Sequence, residues 1–470
     1  MLWHNPEWVR HARALLRPAR VLNVVIVTLA LCGVTFFGSL HSSGTQFYTS
    51  YFNILVVVQF LGLGMWCLYS CGQAIAQERV FQTFDFWRTT RLTPQELIVG
   101  KVCGVPLIGY LAVACTLPVG LFTGLKAGID LFDLLLIDVL LITCSLFISL
   151  VTLLISMLSE KLRAGFGLSM AILALPVITT GFLNGPFPGL AALNPYYALS
   201  DILGWSASPS SAVVFGEPVN RFFITHLLYL AIGVWVFLML YRNIKRDFLE
   251  IRLLSRWQTI GFGVFWNVLL YALFDADSKA ASGGGYSILV LNCVLVYAAG
   301  IISITPQERL RAWWQERSRG HANLFAEDSL PWPWPLVMAA GAVMLYGGMA
   351  IVSTQTGLNS RMTVEDFGTQ LGVVTVFAVR DTLFLQWCSL QRFRRPLLAG
   401  LLYLGSYYVI VQLIAGPFQG LFTLIPGIHG GSPALGGVLV QGAVIVLVLA
   451  LIRQRLKEPS RVIAPSAVAV

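Results

Sequence analysis

The sequence predicts an all-α polytopic membrane protein, and three observations support this class. Of 470 residues, 57% are hydrophobic and only 11% are charged, which is about half the charge of a soluble domain. Apolar runs long enough to cross roughly 30 Å of hydrocarbon as helices recur along the whole chain. The basic residues between these runs collect in alternate loops, as they do in membrane proteins.

The apolar runs predict about twelve transmembrane helices in two six-helix halves. A basic segment from Arg242 to Arg256 separates the halves and divides the chain into residues 1–250 and 251–470. Prolines and Gly-Pro pairs inside or beside the runs leave eleven and thirteen spans as alternatives. The predicted spans lie near 21–40, 52–77, 102–124, 131–157, 164–184, 222–241, 257–274, 286–304, 335–353, 368–391, 397–415 and 434–452.

The distribution of Lys and Arg predicts the orientation. The two terminal segments and every second loop hold 26 of the 31 basic residues, the opposite loops hold 4, and Arg380 falls within a span. Because basic loops stay on the cytoplasmic side, both termini are expected there. The net charge of +9 then reflects topology and attraction to the lipid bilayer, so we expect no nucleic-acid partner.

Two segments outside the spans have helical character. Apolar residues from Trp3 to Leu16 alternate with charged ones at near-helical spacing, which predicts an amphipathic N-terminal interfacial helix ended by Pro18. The loop 185–221 alternates apolar and helix-breaking residues and predicts short re-entrant helices, with a polar flexible loop as the alternative over 206–220.

A charged and aromatic segment, Gln77 to Lys101, lies between the second and third predicted spans. Glu78 and Arg79 end the second span, and helical spacing places Val80, Phe81, Phe84 and Trp87 near one face of a short flat helix. The run Thr93-Pro94-Gln95-Glu96 predicts a capping box that starts a new helix leading into the third span. An ordinary, well-capped connecting loop explains these residues equally well.

The order Glu78-Arg79, Thr83, Thr93-Pro94, Glu96 and Gly100-Lys101 resembles the signature of permease subunits of ABC transporters of the type-two exporter class. The resemblance covers about residues 1–250. It implies a bacterial inner-membrane permease with an elbow helix, a cytoplasmic coupling helix, and re-entrant helices between the fifth and sixth spans. It also implies contact with a separate ABC ATP-binding subunit around Glu78, Arg79, Thr83, Asp85, Arg88 and Arg91. Gln82 stands where the family usually has glycine.

The chain is expected to bind no cofactor and to be no enzyme itself. It has no Gly-x-x-x-x-Gly-Lys-Ser/Thr phosphate loop, so ATP and Mg are expected on the partner ATPase. The scattered cysteines and histidines predict no metal site. A transporter of the class that the chain resembles needs two six-span units. Either a homodimer of this chain or an internal pseudo-dimer of its two halves would supply them. A second Gln-Glu-Arg at 307–309 makes Glu308 and Arg309 a possible second coupling loop.

Three ionisable residues fall inside predicted spans: Asp138, Arg380 and Asp381. Such groups usually face the bundle interior or one another. Neighbours on one helix diverge by about 100°, so Arg380 and Asp381 are not expected to face a single partner. Structural pairing with another helix is one interpretation, and a role in substrate passage is the other. An ion-gradient-driven secondary transporter, which would use these residues, and a non-transporting membrane scaffold are the rival functions.

Overall fold

The computed structural model describes residues 5–40, 44–158, 187–205, 211–215, 217–246, 253–274, 284–321, 323, 328–356, 364–391, 396–415 and 435–457. The chain divides into two compact units. Unit 1 comprises residues 1–254 with the short segment 273–275, and unit 2 comprises 255–272 with 276–470. The boundary lies close to the expected one at residue 250.

Unit 1 begins with a short helix and continues with long ones. The expected N-terminal helix is present, but it ends at Leu15, and Pro18 begins the next helix instead of ending the first. Proline is favoured at a first helical position because its missing N–H has no helical partner there. The helices up to residue 158 are α1 (Pro6–Leu15), α2 (Pro18–Ser39), α3 (Thr45–Val80), α4 (Phe84–Thr89), α5 (Pro94–Gly104), α6 (Leu107–Lys126) and α7 (Leu131–Leu158).

The helix that begins at Pro94 does not continue into the third predicted span, contrary to the sequence prediction. α5 ends at Gly104, and α6 begins at Leu107 after a non-helical Pro106. Proline has no N–H to donate and its ring clashes with the carbonyl four residues earlier, so it separates the two helices. The run 102–124 is therefore two elements rather than one.

The loop before the last helix of unit 1 contains the predicted short helices. They are a 3-10 helix (Pro188–Leu193) and α8 (Pro195–Ile202). A hairpin of β1 (Ser211–Val214) and β2 (Glu217–Asn220) follows, pairing Ser211 with Asn220, where a flexible loop was the alternative. The unit continues with α9 (Arg221–Asn243). The predicted fifth span, 164–184, lies outside the described residues.

The described residues of unit 2 form a helix in each of its six predicted spans and one more helix between them. Its helices are α10 (Arg256–Ala272), α11 (Gly284–Ile302), α12 (Gln307–Ser318), α13 (Pro333–Thr356), α14 (Val364–Ser389), α15 (Pro396–Ala415) and α16 (Leu435–Lys457). The central helix is α14, which packs against α11, α13, α15 and α16.

Within the described residues, seven helices are long and apolar enough to cross a membrane: α2, α3, α6, α7, α9, α14 and α16. Large apolar side chains are also exposed along these helices, for example Phe37 and Leu230, as expected of surfaces that contact lipid. The chain is thus an all-α multi-pass membrane protein.

Candidate functional site

Five ionisable side chains join α1, α3 and α5 at one end of unit 1. Glu7 Oε1 accepts hydrogen bonds from Arg10 Nη2 at 2.7 Å and from Lys101 Nζ at 2.9 Å, and it lies 3.2 Å from His11 Nε2. The same two cations reach Glu78 Oε1, Lys101 at 2.6 Å and Arg10 at 3.1 Å. We call these five residues the Glu7 cluster. It connects three helices through shared charges.

The two charged side chains at the centre of this cluster, Glu7 and Lys101, are buried, which strengthens the interaction between them. Glu7 is fully buried and Lys101 is 2% exposed. Burial by itself raises the pKa of the Glu7 carboxyl, because it disfavours the charged form. The hydrogen bond to His11 and the charges of Lys101 and Arg10 more than offset this effect and lower the pKa to about 2. Glu7 is therefore ionised at neutral pH.

The close approach of α1 to α5 depends on two glycines. A Cβ at Gly100 would lie 2.7 Å from Glu7 Cβ, and one at Gly104 would lie 3.0 Å from His11 Cβ. Asn5 fixes the start of α1 on the same surface: its side-chain oxygen accepts from the Glu7 amide, and its Nδ2 donates to the carbonyl of Glu96 at 2.8 Å. The small α5 surface thus determines where α1 lies.

The chain leaves α3 through a Schellman-type turn centred on Gln82. The Thr83 amide donates to the Glu78 carbonyl at 2.9 Å, and the Gln82 amide donates to the Arg79 carbonyl at 3.0 Å. Gln82 has a φ of 56°, the left-handed conformation that glycine adopts without steric cost. The position at which the sequence departs from the family pattern is therefore one where the backbone favours glycine.

Arg79 joins the end of α3 to the end of α7. Its Nη1 donates to the Met157 carbonyl at 2.7 Å, which lies in the last described turn of α7. Its guanidinium carbon also lies 5.0 Å from the centre of the Phe84 ring. Phe84, the first residue of α4, is buried with Ile75 and Leu97. Arg79 and Phe84 thus connect the short helix to the core.

The prediction that Val80, Phe81, Phe84 and Trp87 share one apolar face is wrong for the first three, and the side chain of Trp87 lies outside the described residues. Val80 and Phe81 are exposed, as is Phe86 at 64%, whereas Phe84 is buried. The turn at Gln82 breaks the helical register, so residues before and after it point in different directions. The exposed apolar surface of this loop therefore comes from both sides of the turn.

The predicted coupling residues have different environments. Glu78 and Arg79 lie in the last turn of α3 and point into unit 1. Thr83 and Arg91 are exposed. Asp85 and Arg88 belong to α4, and their side chains lie outside the described residues.

The loop from Phe81 to Thr93, which we call the α4 loop, is fixed at its far end. The capping box is confirmed: Thr93 Oγ1 accepts from the Glu96 amide at 3.2 Å, and the Glu96 carboxylate accepts from the Thr93 amide at 2.7 Å. The hydrogen bond from the Thr93 amide, and second the one that the Thr93 hydroxyl donates to Glu96 Oε2 at 2.9 Å, lower the pKa of Glu96. Lys245 Nζ, just beyond α9, donates to the Thr90 carbonyl at 3.0 Å.

The second Gln-Glu-Arg has a different environment from the first. It begins α12, whereas Gln77-Glu78-Arg79 ends α3. Glu308 is exposed and Arg309 is half-buried, while Leu310 and Trp313 pack with Leu383 of α14 and Ile452 of α16. α12 is thus partly embedded in unit 2.

Both ends of the segment that contains α12 are held in place. The Thr305 amide donates to Gln386 Oε1, and Gln386 Nε2 donates back to the Thr305 carbonyl, each at 2.8 Å. The Thr305 hydroxyl donates to the Ser329 carbonyl at 3.3 Å. This segment is therefore tied to α14 and to its own far end.

Arg380 and Asp381 form a buried polar centre in unit 2. Arg380 Nε donates to Asp381 Oδ1 at 2.7 Å, and its Nη1 donates to Gln441 Oε1 of α16 at 2.6 Å. Tyr408 of α15 accepts from Arg380 at 2.9 Å and donates to Asp381, and Tyr297 of α11 donates to the same carboxylate at 2.9 Å. The centre connects four helices.

The expectation that Arg380 and Asp381 face no common partner is wrong. Both contact the hydroxyl of Tyr408, because the long arginine side chain folds back across the angle between neighbouring residues. Both residues also hydrogen-bond to side chains of other helices, which agrees with the structural interpretation, and a role in substrate passage stays a prediction. Asp138, the third predicted residue, is half-buried on α7 beside Gln59 and Leu134.

Several residues of these sites were missed by sequence reasoning. Glu7 was assigned to the polar face of an interfacial helix, and Tyr297, Tyr408 and Gln441 were not singled out. A signal existed for Glu7, because Gly100 and Gly104 are four residues apart and leave a small surface for a second helix. Hydroxyl and amide groups inside apolar spans are the corresponding signal for the others.

Comparison of the chain with protein-family models, with curated proteins and with solved structures finds no match.

Proposed function

We propose that this chain is the permease subunit of an ABC exporter of the type-two class, driven by a separate ATPase subunit. The chain would have about twelve spans in two halves, in a bacterial inner membrane with both termini cytoplasmic. The observation that carries the proposal is the α4 loop. It is a short segment whose ends are held by backbone hydrogen bonds to the end of α3, by the capping box at the start of α5, and by Lys245 just beyond α9.

The geometry suits the transmission of force. A subunit docked on α4 contacts a six-residue helix whose first residue, Phe84, is buried in the core between α3, α5 and α7. Arg79 ties α3 to α7, and the Glu7 cluster ties α3 to α1 and α5. Displacement of α4 would therefore move several helices together. In the proposed cycle, the ATPase shifts the population between closed and outward-open arrangements.

The docking surface consists of the exposed groups of the α4 loop. Thr83, Phe86 and Arg91 are exposed, which gives a mixed surface with an aromatic centre and a cation. Such surfaces are typical of protein interfaces, where aromatic residues and arginine are enriched. Glu78 and Arg79 would act behind this surface by fixing the end of α3, rather than by touching the ATPase.

We propose further that two chains pair through their first units, with unit 2 accessory. The support is the difference between the two Gln-Glu-Arg segments. α12 buries Leu310 and Trp313 against α14 and α16, whereas α4 buries Phe84 and exposes Phe86 and Thr89. Glu308 is nevertheless exposed, and its charge reversal tests whether α12 is a second docking site.

Charge reversal in the α4 loop tests the proposal. The chain with its associated subunits is purified from its native membrane as wild type, Arg91→Glu, Glu308→Lys and Arg453→Glu, and ATP hydrolysis is measured. Arg453 is an exposed arginine on α16 and provides the matched control. We expect Arg91→Glu to remove most of the associated hydrolysis and the other two variants to retain it.

Two results would overturn the proposal. Hydrolysis that is absent from the wild-type complex, or equal in Arg91→Glu and Arg453→Glu, would exclude coupling through this loop. Transport that continues after ATP depletion and stops when the proton gradient is collapsed would favour the secondary transporter. Loss of hydrolysis in Glu308→Lys would instead indicate a pseudo-dimer with two coupling loops.

A further inference from the structure

Unit 1 has an open apolar groove between α2, α3 and α6. Its volume is about 480 Å³, and its walls include Val27, Leu31, Leu63, Trp66 and Ala112. This groove does not involve the α4 loop. What occupies the groove is therefore independent of how an ATPase docks on the α4 loop.

The groove has the length of one membrane leaflet. Along α2 its lining extends from Arg20 to Cys32, which is about 18 Å at 1.5 Å per residue. A leaflet contributes about half of the 30 Å hydrocarbon core. An extended acyl chain lying beside α2 would therefore fill the groove from end to end.

One end of the groove is positively charged. Arg20 is the charged residue among the described lining residues, and Asn23 lies beside it. Arg20 Nη1 donates to the Ala14 carbonyl at 3.0 Å, which orients the guanidinium at the start of α2. The groove lining contains no carboxylate in the described part of the chain that would pair with a choline or ethanolamine group.

Two of the remaining polar side chains of the groove, Gln59 and Thr116, are hydrogen-bonded within the protein, whereas the Trp66 Nε1 is buried without a hydrogen-bond partner among the described residues. Gln59 Nε2 donates to Thr116 Oγ1 at 2.6 Å, and that hydroxyl donates to the Val113 carbonyl at 2.8 Å. Beyond the charged end and this indole N–H the surface is thus suited to hydrocarbon. The charged end matches a phosphate, since arginine binds phosphate through its planar fork of N–H groups.

We propose that this groove binds one acyl chain of an anionic phospholipid, with the lipid phosphate on Arg20. The inference goes beyond the proposed transport function and does not depend on it. A lipid held there would lie between α2 and α6, and it would fill space that the protein itself leaves open.

The structure provides a variant that fills the groove. Gly62 lines it, and a Cβ built there meets no atom within 4 Å, so Gly62→Phe places a ring in open space. Gly33 on α2 has equally free surroundings and is not among the groove residues. Gly33→Phe is therefore the matched control, and Arg13→Gln, on the exposed side of α1, is the control for Arg20→Gln.

Fluorescence quenching of Trp66 measures occupancy. The full chain is reconstituted in phosphatidylcholine vesicles containing a minor fraction of phosphatidylglycerol brominated on its acyl chains, and the signal is taken as the difference from Trp66→Phe. We expect Gly62→Phe to abolish the quenching. Arg20→Gln should raise the lipid concentration needed for half-maximal quenching about fivefold. Both control variants should behave like wild type.

Two results would overturn the inference. Equal quenching by brominated phosphatidylcholine, unaffected by Arg20→Gln, would mean unspecific contact with bulk lipid. Unquenched Trp66 in wild type would mean that the groove is covered by something else. If the protein were then dimeric and Gly62→Phe made it monomeric, a second copy of the chain would be the occupant. Loss of ATPase association alone would leave these measurements unchanged.

Discussion

Replacing Lys101 by methionine removes the cation that Glu7 and Glu78 share, while a side chain of similar length remains. Lys101 Nζ lies 2.9 Å from Glu7 Oε1 and 2.6 Å from Glu78 Oε1. After the replacement Glu7 stays fully buried beside Arg10, whose side chain is 41% exposed. The carboxylate then loses its buried counter-charge, and α1 loses its central contact with α5.

The free energy that Lys101→Met removes from the attachment of α1 can be worked out from the structure. Removing one member of a buried ion pair typically costs 3–5 kcal/mol. The pKa of Glu7 falls from 4.5 to about 2, and at 1.36 kcal/mol per unit this is about 3 kcal/mol, shared among its neighbours. We therefore expect Lys101→Met to weaken the attachment of α1 by about 3 kcal/mol.

Hydrogen exchange of the α1 amides measures this attachment directly. A loss of about 3 kcal/mol should speed their exchange about a hundredfold. Lys126→Met, at the exposed end of α6, should leave it unchanged. Glu7→Gln combined with Lys101→Met should recover much of the protection, because no unpaired charge stays buried in α1. Equal exchange in Lys101→Met and Lys126→Met would refute the reasoning.

The pH dependence of α1 protection has a definite sign. The pKa of Glu7 is lower in the folded protein, at about 2, than its ordinary value of 4.5. Its contribution to stability is therefore complete above about pH 5 and is lost as the pH falls from 4.5 towards 2. The expected loss of protection in this window should be smaller in Glu7→Gln. An identical acid profile in that variant would contradict the assignment.

Four further substitutions test other parts of the structure by thermal unfolding in detergent. Gln82→Gly should stabilise the chain by about 1 kcal/mol, because the left-handed conformation no longer carries a side chain; destabilisation would contradict this. Asp381→Ala leaves Arg380 buried without its counter-ion and should cost about 3–5 kcal/mol, whereas Tyr297→Phe removes one hydrogen bond and should cost about 1–2 kcal/mol; equal effects would refute the ranking. Thr93→Ala should cost about 1 kcal/mol through the lost cap, and an unchanged melting temperature would show that α5 does not need it.

Local sequence patterns predicted the local structure well. Apolar runs marked helices in both units, and the capping box at Thr93 and Glu96 is present as expected. Each of these features depends on residues close together in the chain. The break at Pro106 was missed because a single proline barely changes the average hydropathy of a long apolar run, although it removes a helical hydrogen bond.

The candidate sites depend on contacts that the sequence does not encode locally. Glu7 and Lys101 are 94 residues apart, and Arg380 and Gln441 are 61 apart. Periodicity assigns a residue to a helix face, but it does not say which other helix covers that face. Glu7 consequently looked like an exposed charge until the position of α5 was known.

Photocrosslinking from the α4 loop tests the central claim most directly. A benzophenone amino acid replaces Phe86, which is 64% exposed, or Phe223 of α9, which is 66% exposed, and cells are irradiated. We predict a covalent product with an ATP-hydrolysing subunit from position 86 and none from position 223. No such product from position 86, or equal products from both positions, would contradict the proposal that this chain is an ABC permease.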